Sequence, residues 1–257
     1  MSAGSVRLSI EGGVATVLFD RPAVRNAMTL AMYEELSQAC QRIVRTPGLR
    51  AAVFRGAGGS FVAGTDISEF GSFKDGSDGV AYERKIEVAL AEIEALPIPA
   101  LAVVEGSAMG GGLMIATACD LRIASTHSRF GVPIARTLGN CLSIRNLARL
   151  ERAFGLGATR RMLLLAEPLD AVEARQCGFV LDIADDDELN AKADAIVGRL
   201  HANAPLTIAA TRELLRRLAG SAVPEDEDVI ARVYGSRDFH EGVSAFVEKR
   251  PPHWSGG

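Results

Sequence analysis

The residues with the clearest chemical capacity lie between Pro99 and Asp120 (PALAVVEGSAMGGGLMIATACD), where a strand-like run meets a glycine triplet and then a small-residue helix. Ala100 to Val104 is unbroken apolar sequence, as expected of a strand covered on both faces. Gly106 ends it. Gly110, Gly111 and Gly112 allow the backbone to turn without Cβ clashes and to approach a ligand closely, and Leu113 to Cys119 reads as the apolar start of a helix. The first N–H groups of such a helix have no internal partner, and the helix dipole places its positive end at the same point. A glycine-lined helix start therefore suits negative charge: a phosphate, a carboxylate, or an oxyanion that exists only during a reaction.

Several chemistries drop out at once. No Gly-Lys-Ser/Thr follows the triplet, so it is not a Walker phosphate loop. GSAMGG sits in mid-chain without an acidic ribose-binding partner about 20 residues on, which makes a poor dinucleotide fingerprint. The net charge of −4 with scattered Lys and Arg argues against a nucleic-acid surface. The cysteines Cys40, Cys119, Cys141 and Cys177 show no CxxC spacing, which fits free buried thiols in a reducing compartment. His127, His201, His240 and His253 form no HxxxH or HExxH, so no metal centre is expected. Arg7 and then Glu11 break any signal-peptide pattern, and no apolar run approaches the ~18 residues of a membrane span. The expectation is a soluble, cytoplasmic protein. A mean hydropathy of +0.15 with few aromatics suggests apolar surface shared between subunits.

The 257 residues are enough for one sizeable core. Val6 to Ile10 and Val14 to Phe19 flank Glu11-Gly12-Gly13 and read as a hairpin. From Thr29, an N-cap residue, Met32, Leu36, Cys40 and Ile43 fall at helical spacing until Pro47-Gly48. Ala51 to Phe54 reads as a buried strand. Phe61 to Ile67 is a second glycine-containing bend leading into a short helix capped by Asp66. Gly71 to Gly79 reads as a mobile loop and Ala81 to Leu96 as an amphipathic helix. Further strands are expected at Leu121 to Ala124 and Val180 to Ile183, with a strand end at Arg129 to Pro133. Helices are expected at Ser143 to Phe154, closed by Gly155, then at Ala158 to Leu165, Ala171 to Cys177, Asp186 to Ala202 and Pro205 to Leu218. Gly220 to Asp228 is an acidic connector before helices near Val229 to Tyr234 and Phe239 to Lys249. Strands and helices mix in the first two thirds, and the last third is nearly all helix.

Five pieces then fall in one order. Arg21-Pro22 with Asn26-Ala27-Met28, Phe61 to Ile67, Gly110 to Gly112 with Ala118-Cys119-Asp120, Phe130-Gly131-Val132-Pro133, and Asp238-Phe239 through Trp254 together resemble the crotonase (enoyl-CoA hydratase/isomerase) superfamily. The resemblance implies an α/β fold, a spiral of ββα units over residues 1–200. It implies a helical C-terminal region over 201–257 that builds trimers, often paired into hexamers. It also implies a CoA thioester as substrate and no separate cofactor. By matching positions, the N–H groups of Ala63 and Gly111 should form an oxyanion hole. Arg25, Ala27, Ala63, Gly64, Thr65, Asp66 and Ile67 should border CoA, with Phe246 and Lys249 from the C-terminal helix. Asp66 has a competing role as a helix cap, and Arg25 one as a solvated surface cation.

The sequence departs from the pattern it resembles at the proton-transfer positions. Hydratases of this kind carry one glutamate two residues after the glycine triplet and another directly after the Phe-Gly-x-Pro turn, and here those places hold Met114 and Ile134. These two, with Arg136 and Asn140, are the expected acyl-pocket residues. A positioned acid or base contributes about 10² to 10⁴ in rate, so its loss must be compensated if hydration is retained. Glu69, Arg136 and Asn140 are the candidates for a catalytic group, and Tyr82, Glu83, Cys141 and Ser143 lie nearby in sequence. Three functions follow as expectations: a hydratase or double-bond isomerase with a displaced acid/base, a carboxyacyl-CoA decarboxylase, or an acyl-CoA-binding homologue without catalysis.

Overall fold

The computed structural model describes residues 4–73 and 76–219, together with Arg237, Glu241, Ala245, Glu248 and residues 250–257. The chain opens with the hairpin β1 (Ser5–Glu11) and β2 (Val14–Asp20), then α1 (Leu30–Arg45), whose N-cap Thr29 accepts from the Met32 N–H at 3.2 Å. β3 (Ala51–Gly56) follows, then a 3-10 helix (Ile67–Ser72), α2 (Gly76–Glu94), β4 (Ala100–Val104), β5 (Ser107–Met109) and α3 (Gly111–Ala118). Next come β6 (Leu121–Ser125), β7 (Arg129–Gly131), the single turn α4 (Ile134–Thr137) and α5 (Ile144–Leu164). The described chain closes with β8 (Leu169–Asp170), α6 (Ala171–Gln176), β9 (Asp182–Ala184), α7 (Asp186–Ala202) and α8 (Pro205–Leu218). Strand–strand–helix units succeed one another, as the resemblance implies.

Six strands form one sheet in the order β1-β2-β3-β4-β6-β9, antiparallel at the first pair and parallel thereafter. A smaller sheet joins β5, β7 and β8. The apolar run of β4 has the expected cause, since both its faces are covered. Ala100, Ala102 and Val104 turn into the main core with Phe54, Leu90 and Leu113, while Leu101 and Val103 meet Val53, Ile123, Leu189 and Ile196 of α7. Asp120 joins this strand to its surroundings: Oδ2 accepts from the Ala100 N–H at 2.6 Å and from Arg212 Nε of α8 at 2.7 Å.

Three expectations shift. Of the Gly71 to Gly79 segment, Gly71 and Ser72 close the 3-10 helix and Gly76 to Gly79 open α2, where Asp78 sits at the positive end of the helix dipole, while residues 74 and 75 lie outside the described residues. The strand expected at Val180 to Ile183 begins at Asp182, because Phe179 and Val180 are buried in the turn after α6, with Phe179 packed on Phe130 and Phe154. Gly155 does interrupt the long α5 segment, with φ 73° and ψ 162°, so the two expected helices are contiguous in space but broken in backbone. Of the four thiols, all free, Cys40 and Cys119 are buried and Cys141 and Cys177 exposed, against the expectation that all four are buried. Val229 to Tyr234 and Phe239 to Lys249, with Phe246 and Lys249, fall largely outside the described residues.

α2 and α5 are locked by one cation. Arg149, its side chain 6% exposed, donates to both carboxylate oxygens of Glu87 (2.6 and 2.9 Å), to both of Glu94 (2.7 and 2.9 Å) and to Asn146 Oδ1 (2.9 Å). Glu83 adds a second tie, Oε2 accepting from the Ser143 N–H at 3.0 Å and from Asn146 Nδ2 at 3.3 Å. Removing the guanidinium leaves half-buried Glu94 without its counter-ion and Glu87 with only the exposed Arg145 at 3.7 Å, and Arg149→Met is expected to cost about 3–5 kcal/mol. Urea unfolding measures this directly, and Arg149→Met combined with Glu87→Gln and Glu94→Gln should recover much of the loss.

Candidate active site

The site is built where three pieces of chain meet. Asn26, fully buried with φ 58°, anchors the first: its Oδ1 accepts from the Arg21 N–H at 2.8 Å and its Nδ2 donates to the carbonyls of Ala57, Ser60 and Phe61 at 2.8, 2.7 and 3.1 Å. That amide holds the entry to the Phe61 to Ile67 bend. On one side the bend pairs with β5, the Val62 N–H donating to the Ser107 carbonyl at 3.0 Å and the Met109 N–H to the Val62 carbonyl at 3.0 Å. On the other it pairs with Met28, whose N–H donates to the Gly64 carbonyl and whose carbonyl accepts from the Asp66 N–H, both at 2.8 Å.

This register decides which amide can serve a ligand. The Ala63 N–H donates to the Arg25 carbonyl at 3.0 Å, so the expected pairing of Ala63 with Gly111 as oxyanion donors is corrected: the Ala63 donor is already spent. Gly64 then has φ 121°, a conformation open to glycine, and it reverses the sidedness of the strand. Because Met28 bonds to the residues before and after Thr65, the Thr65 N–H faces away from Met28, towards β5 and the start of α3. Among the described residues no backbone or side-chain acceptor engages it. The Gly111 N–H, first in α3, likewise has no acceptor among the described residues and lies at the positive end of the helix dipole.

The two residues are close. A Cβ placed on Gly111 would lie 3.1 Å from Thr65 Oγ1 and 2.2 Å from Tyr33 Oη, so only glycine fits beneath these oxygens. Thr65 Oγ1 is in turn 3.0 Å from Tyr33 Oη and 2.7 Å from Tyr82 Oη. Tyr33 is 1% exposed on α1, and burial pushes its phenol well above the ordinary tyrosine range. Tyr82, on α2, is half-buried beside Phe70 and Phe73, ring centroids 5.0 and 6.1 Å away, and burial pushes its phenol up to about 12. Both phenols therefore remain protonated at neutral pH.

The other expected site residues have clear places. Asp66 caps the 3-10 helix, accepting from the Ser68 N–H at 3.0 Å, and pairs with Arg21 at 2.6 Å. The Ser68 bonds, and then Arg21, hold its carboxyl below the usual carboxylate range. Its capping role is the observed one. Arg21 also donates to the Ala27 carbonyl at 3.0 Å, while Arg25 and Ile67 present exposed side chains on the same rim. Met114 is buried in α3, and Ile134 packs against the same apolar cluster. Arg136 and Asn140 are exposed, so the structure does not bring them into that cluster. Glu69 Oε1 accepts from the Leu30 N–H at 3.3 Å and serves the start of α1. Among the described residues no His, Cys, Asp and Glu group could hold a metal, and no helix is long and apolar enough to cross a membrane.

The fold and this cleft define a class: strand–strand–helix units that set two unengaged amides side by side at a glycine helix start. A family model described as enoyl-CoA hydratase/isomerase matches residues 9–257, and the chain belongs to that family. It is 31% identical to a probable enoyl-CoA hydratase of Bacillus subtilis, over 98% of this chain and 99% of that protein. It is also 31% identical to a short-chain-enoyl-CoA hydratase of Clostridium acetobutylicum, covering 97% of both chains. A crystal structure of an enoyl-CoA hydratase/carnithine racemase from Magnetospirillum magneticum superposes with a TM-score of 0.91 at 32% identity, over 98% of this chain and 96% of that one. The crotonase fold and an acyl-CoA-processing enzyme of this superfamily follow from these matches.

Proposed function

We propose that the chain binds an acyl-CoA thioester and polarises its carbonyl between the N–H groups of Thr65 and Gly111, acting as an enoyl-CoA hydratase or double-bond isomerase. The observation carrying this reading is the pair of amides without acceptors among the described residues, set together while the neighbouring Ala63 amide is occupied. Each such donor contributes about 3–4 kcal/mol to a developing oxyanion. Arg25, Ala27 and the backbone from Ala63 to Ile67 form the rim that would take the CoA arm, with Phe246 and Lys249 assigned to the nucleotide. The relatives' names support the hydratase chemistry. A trimer or hexamer in the cytoplasm completes the proposal.

A second reading has its own observation. The paired carboxylates are replaced by buried Met114 and half-buried Ile134, and the nearby Glu69 and Glu83 are engaged at the starts of α1 and α5. Decarboxylation of a carboxyacyl-CoA needs enolate stabilisation without a general base, and this site suits it. The purified protein is expected to consume crotonyl-CoA with loss of the enoyl-thioester absorbance. Carbon dioxide from a malonyl-type thioester, with crotonyl-CoA untouched, would replace the first reading by the second. Binding of CoA thioesters without either reaction would sink both.

A further inference from the structure

The threonine that supplies one amide also carries a hydroxyl whose hydrogen-bond inventory is unusually constrained. Thr65 Oγ1 has two lone pairs and one hydrogen, and its contacts are Tyr33 Oη at 3.0 Å and Tyr82 Oη at 2.7 Å. The group of three hydroxyls has three hydrogens and two contacts, so one hydrogen is left over. A phenol is a stronger acid than an aliphatic alcohol, and the alcohol oxygen is the better acceptor. The favoured arrangement therefore has both tyrosines donating to Thr65, which fills its lone pairs and frees its own O–H. Because burial keeps both phenols protonated, this polarity persists at neutral pH. No other acceptor among the described residues engages any of the three. Thr65 Oγ1 also lies 3.1 Å from the point where a Gly111 Cβ would stand, beside the second amide.

We infer that the Thr65 hydroxyl is a third donor to the thioester oxygen, oriented and polarised by Tyr33 and Tyr82. The inference rests on the acyl-CoA reading above. In it Thr65 touches the substrate through both its N–H and its O–H, while the tyrosines are positioning residues that act through it. Two phenols donating to one hydroxyl oxygen raise the acidity of that hydroxyl, and the third bond strengthens as negative charge develops. The same arrangement explains why position 111 is glycine, since any Cβ there would displace Tyr33 Oη.

The test uses a cinnamoyl-CoA carrying a para-amino group, whose absorbance moves to the red when its thioester carbonyl is polarised. The wild-type protein is expected to bind this probe and shift its band. Thr65→Val keeps the amide and removes the hydroxyl, and should retain CoA affinity while losing much of the shift and about 10- to 100-fold in kcat, the worth of one hydrogen bond to a charged group. Thr65→Ser restores the O–H and should recover both. Tyr82→Phe and Tyr33→Phe each should reduce the shift in the wild-type background and have no further effect on it in Thr65→Val. Should Thr65→Val not fold, the serine and phenylalanine variants carry the comparison alone, with thermal unfolding recorded for each. A full shift and unchanged kcat in Thr65→Val overturn the inference while leaving the two-amide hole standing, and so do tyrosine effects that are equal in both backgrounds. A wild-type protein that binds CoA but never shifts the probe overturns the thioester reading and this inference together.

Discussion

Gly111→Ala should lose about 10²- to 10³-fold in kcat, the measured worth of removing one oxyanion donor from a site of this kind. The cause is space. The new Cβ would fall 2.2 Å from Tyr33 Oη and 3.1 Å from Thr65 Oγ1, and the first distance is shorter than any real carbon–oxygen contact. Tyr33 is 1% exposed and has no room to retreat, so the first turn of α3 must move and take its leading amide with it. Circular dichroism should report a folded protein with a lowered melting temperature. Tyr33→Phe in the alanine background removes the clashing oxygen and leaves the Cβ 3.5 Å from Tyr33 Cζ, an ordinary contact, with only the tight 3.1 Å approach to Thr65 Oγ1 remaining, so the melting temperature should recover in part. Gly198→Ala is the control: it lies exposed in α7, a Cβ there meets nothing, and helix propensity should stabilise it by up to about 1 kcal/mol with activity intact. Wild-type kcat in Gly111→Ala would remove its amide from any account of the chemistry.

The sequence was most legible where the signal is local. α7 and α8 begin and end where their residues indicate, the first with Asp186, Asp187 and Glu188 in its opening turn, the second with Pro205 at its first position. The three-residue strand β5 and the one-turn α4 carry too few residues for any periodicity to register. The apolar run at Val180 indicates a strand earlier than β9 because Phe179 and Val180, beyond the end of α6, serve the core without being extended. In α1 the stripe of Met32, Leu36, Cys40 and Ile43 is evident in the sequence, but nothing in it distinguishes Tyr33 beside that stripe, and it is Tyr33 that reaches Thr65 across 32 positions of chain. Such a contact is set by how α1 packs against the bend that carries Thr65, which spacing along one helix does not encode.

The pair of unengaged amides shows the same boundary at finer scale. The free Gly111 amide is legible in the sequence because a helix start exposes its first amides whatever surrounds it. The family resemblance points to Ala63 as its partner, but the Ala63 N–H is bonded to the Arg25 carbonyl and the unengaged amide is that of Thr65, because sequence alone does not show where the alternation of an extended segment breaks. Gly64 breaks it, and the bonds to Met28 on either side of Thr65 fix the outcome. The capping role of Asp66 is legible in the sequence because the cap and the capped N–H are two residues apart.

Met114→Glu with Ile134→Glu should raise the hydration of crotonyl-CoA by about 10²- to 10⁴-fold if the pocket lacks only its proton-transferring pair. Position 114 is 1% exposed in the first full turn of α3, and position 134 opens α4 directly after Pro133, packed against the same apolar cluster. A carboxyl introduced there is partly desolvated, which raises its pKa towards neutrality and suits it to exchange protons with a water and a carbon acid. Each single variant should gain little, because hydration needs one group to activate water and another to deliver a proton at the neighbouring carbon. The cost is stability: burying a polar group where Met114 packs costs about 1–3 kcal/mol, so the melting temperature must be followed with the rate. Met114→Gln with Ile134→Gln imposes nearly the same shape without the titrating groups and should show no gain. A folded double-glutamate variant that hydrates no faster than the glutamine pair would mean that the acyl chain does not pass between these two positions, and the decarboxylase reading would then have to be tested first.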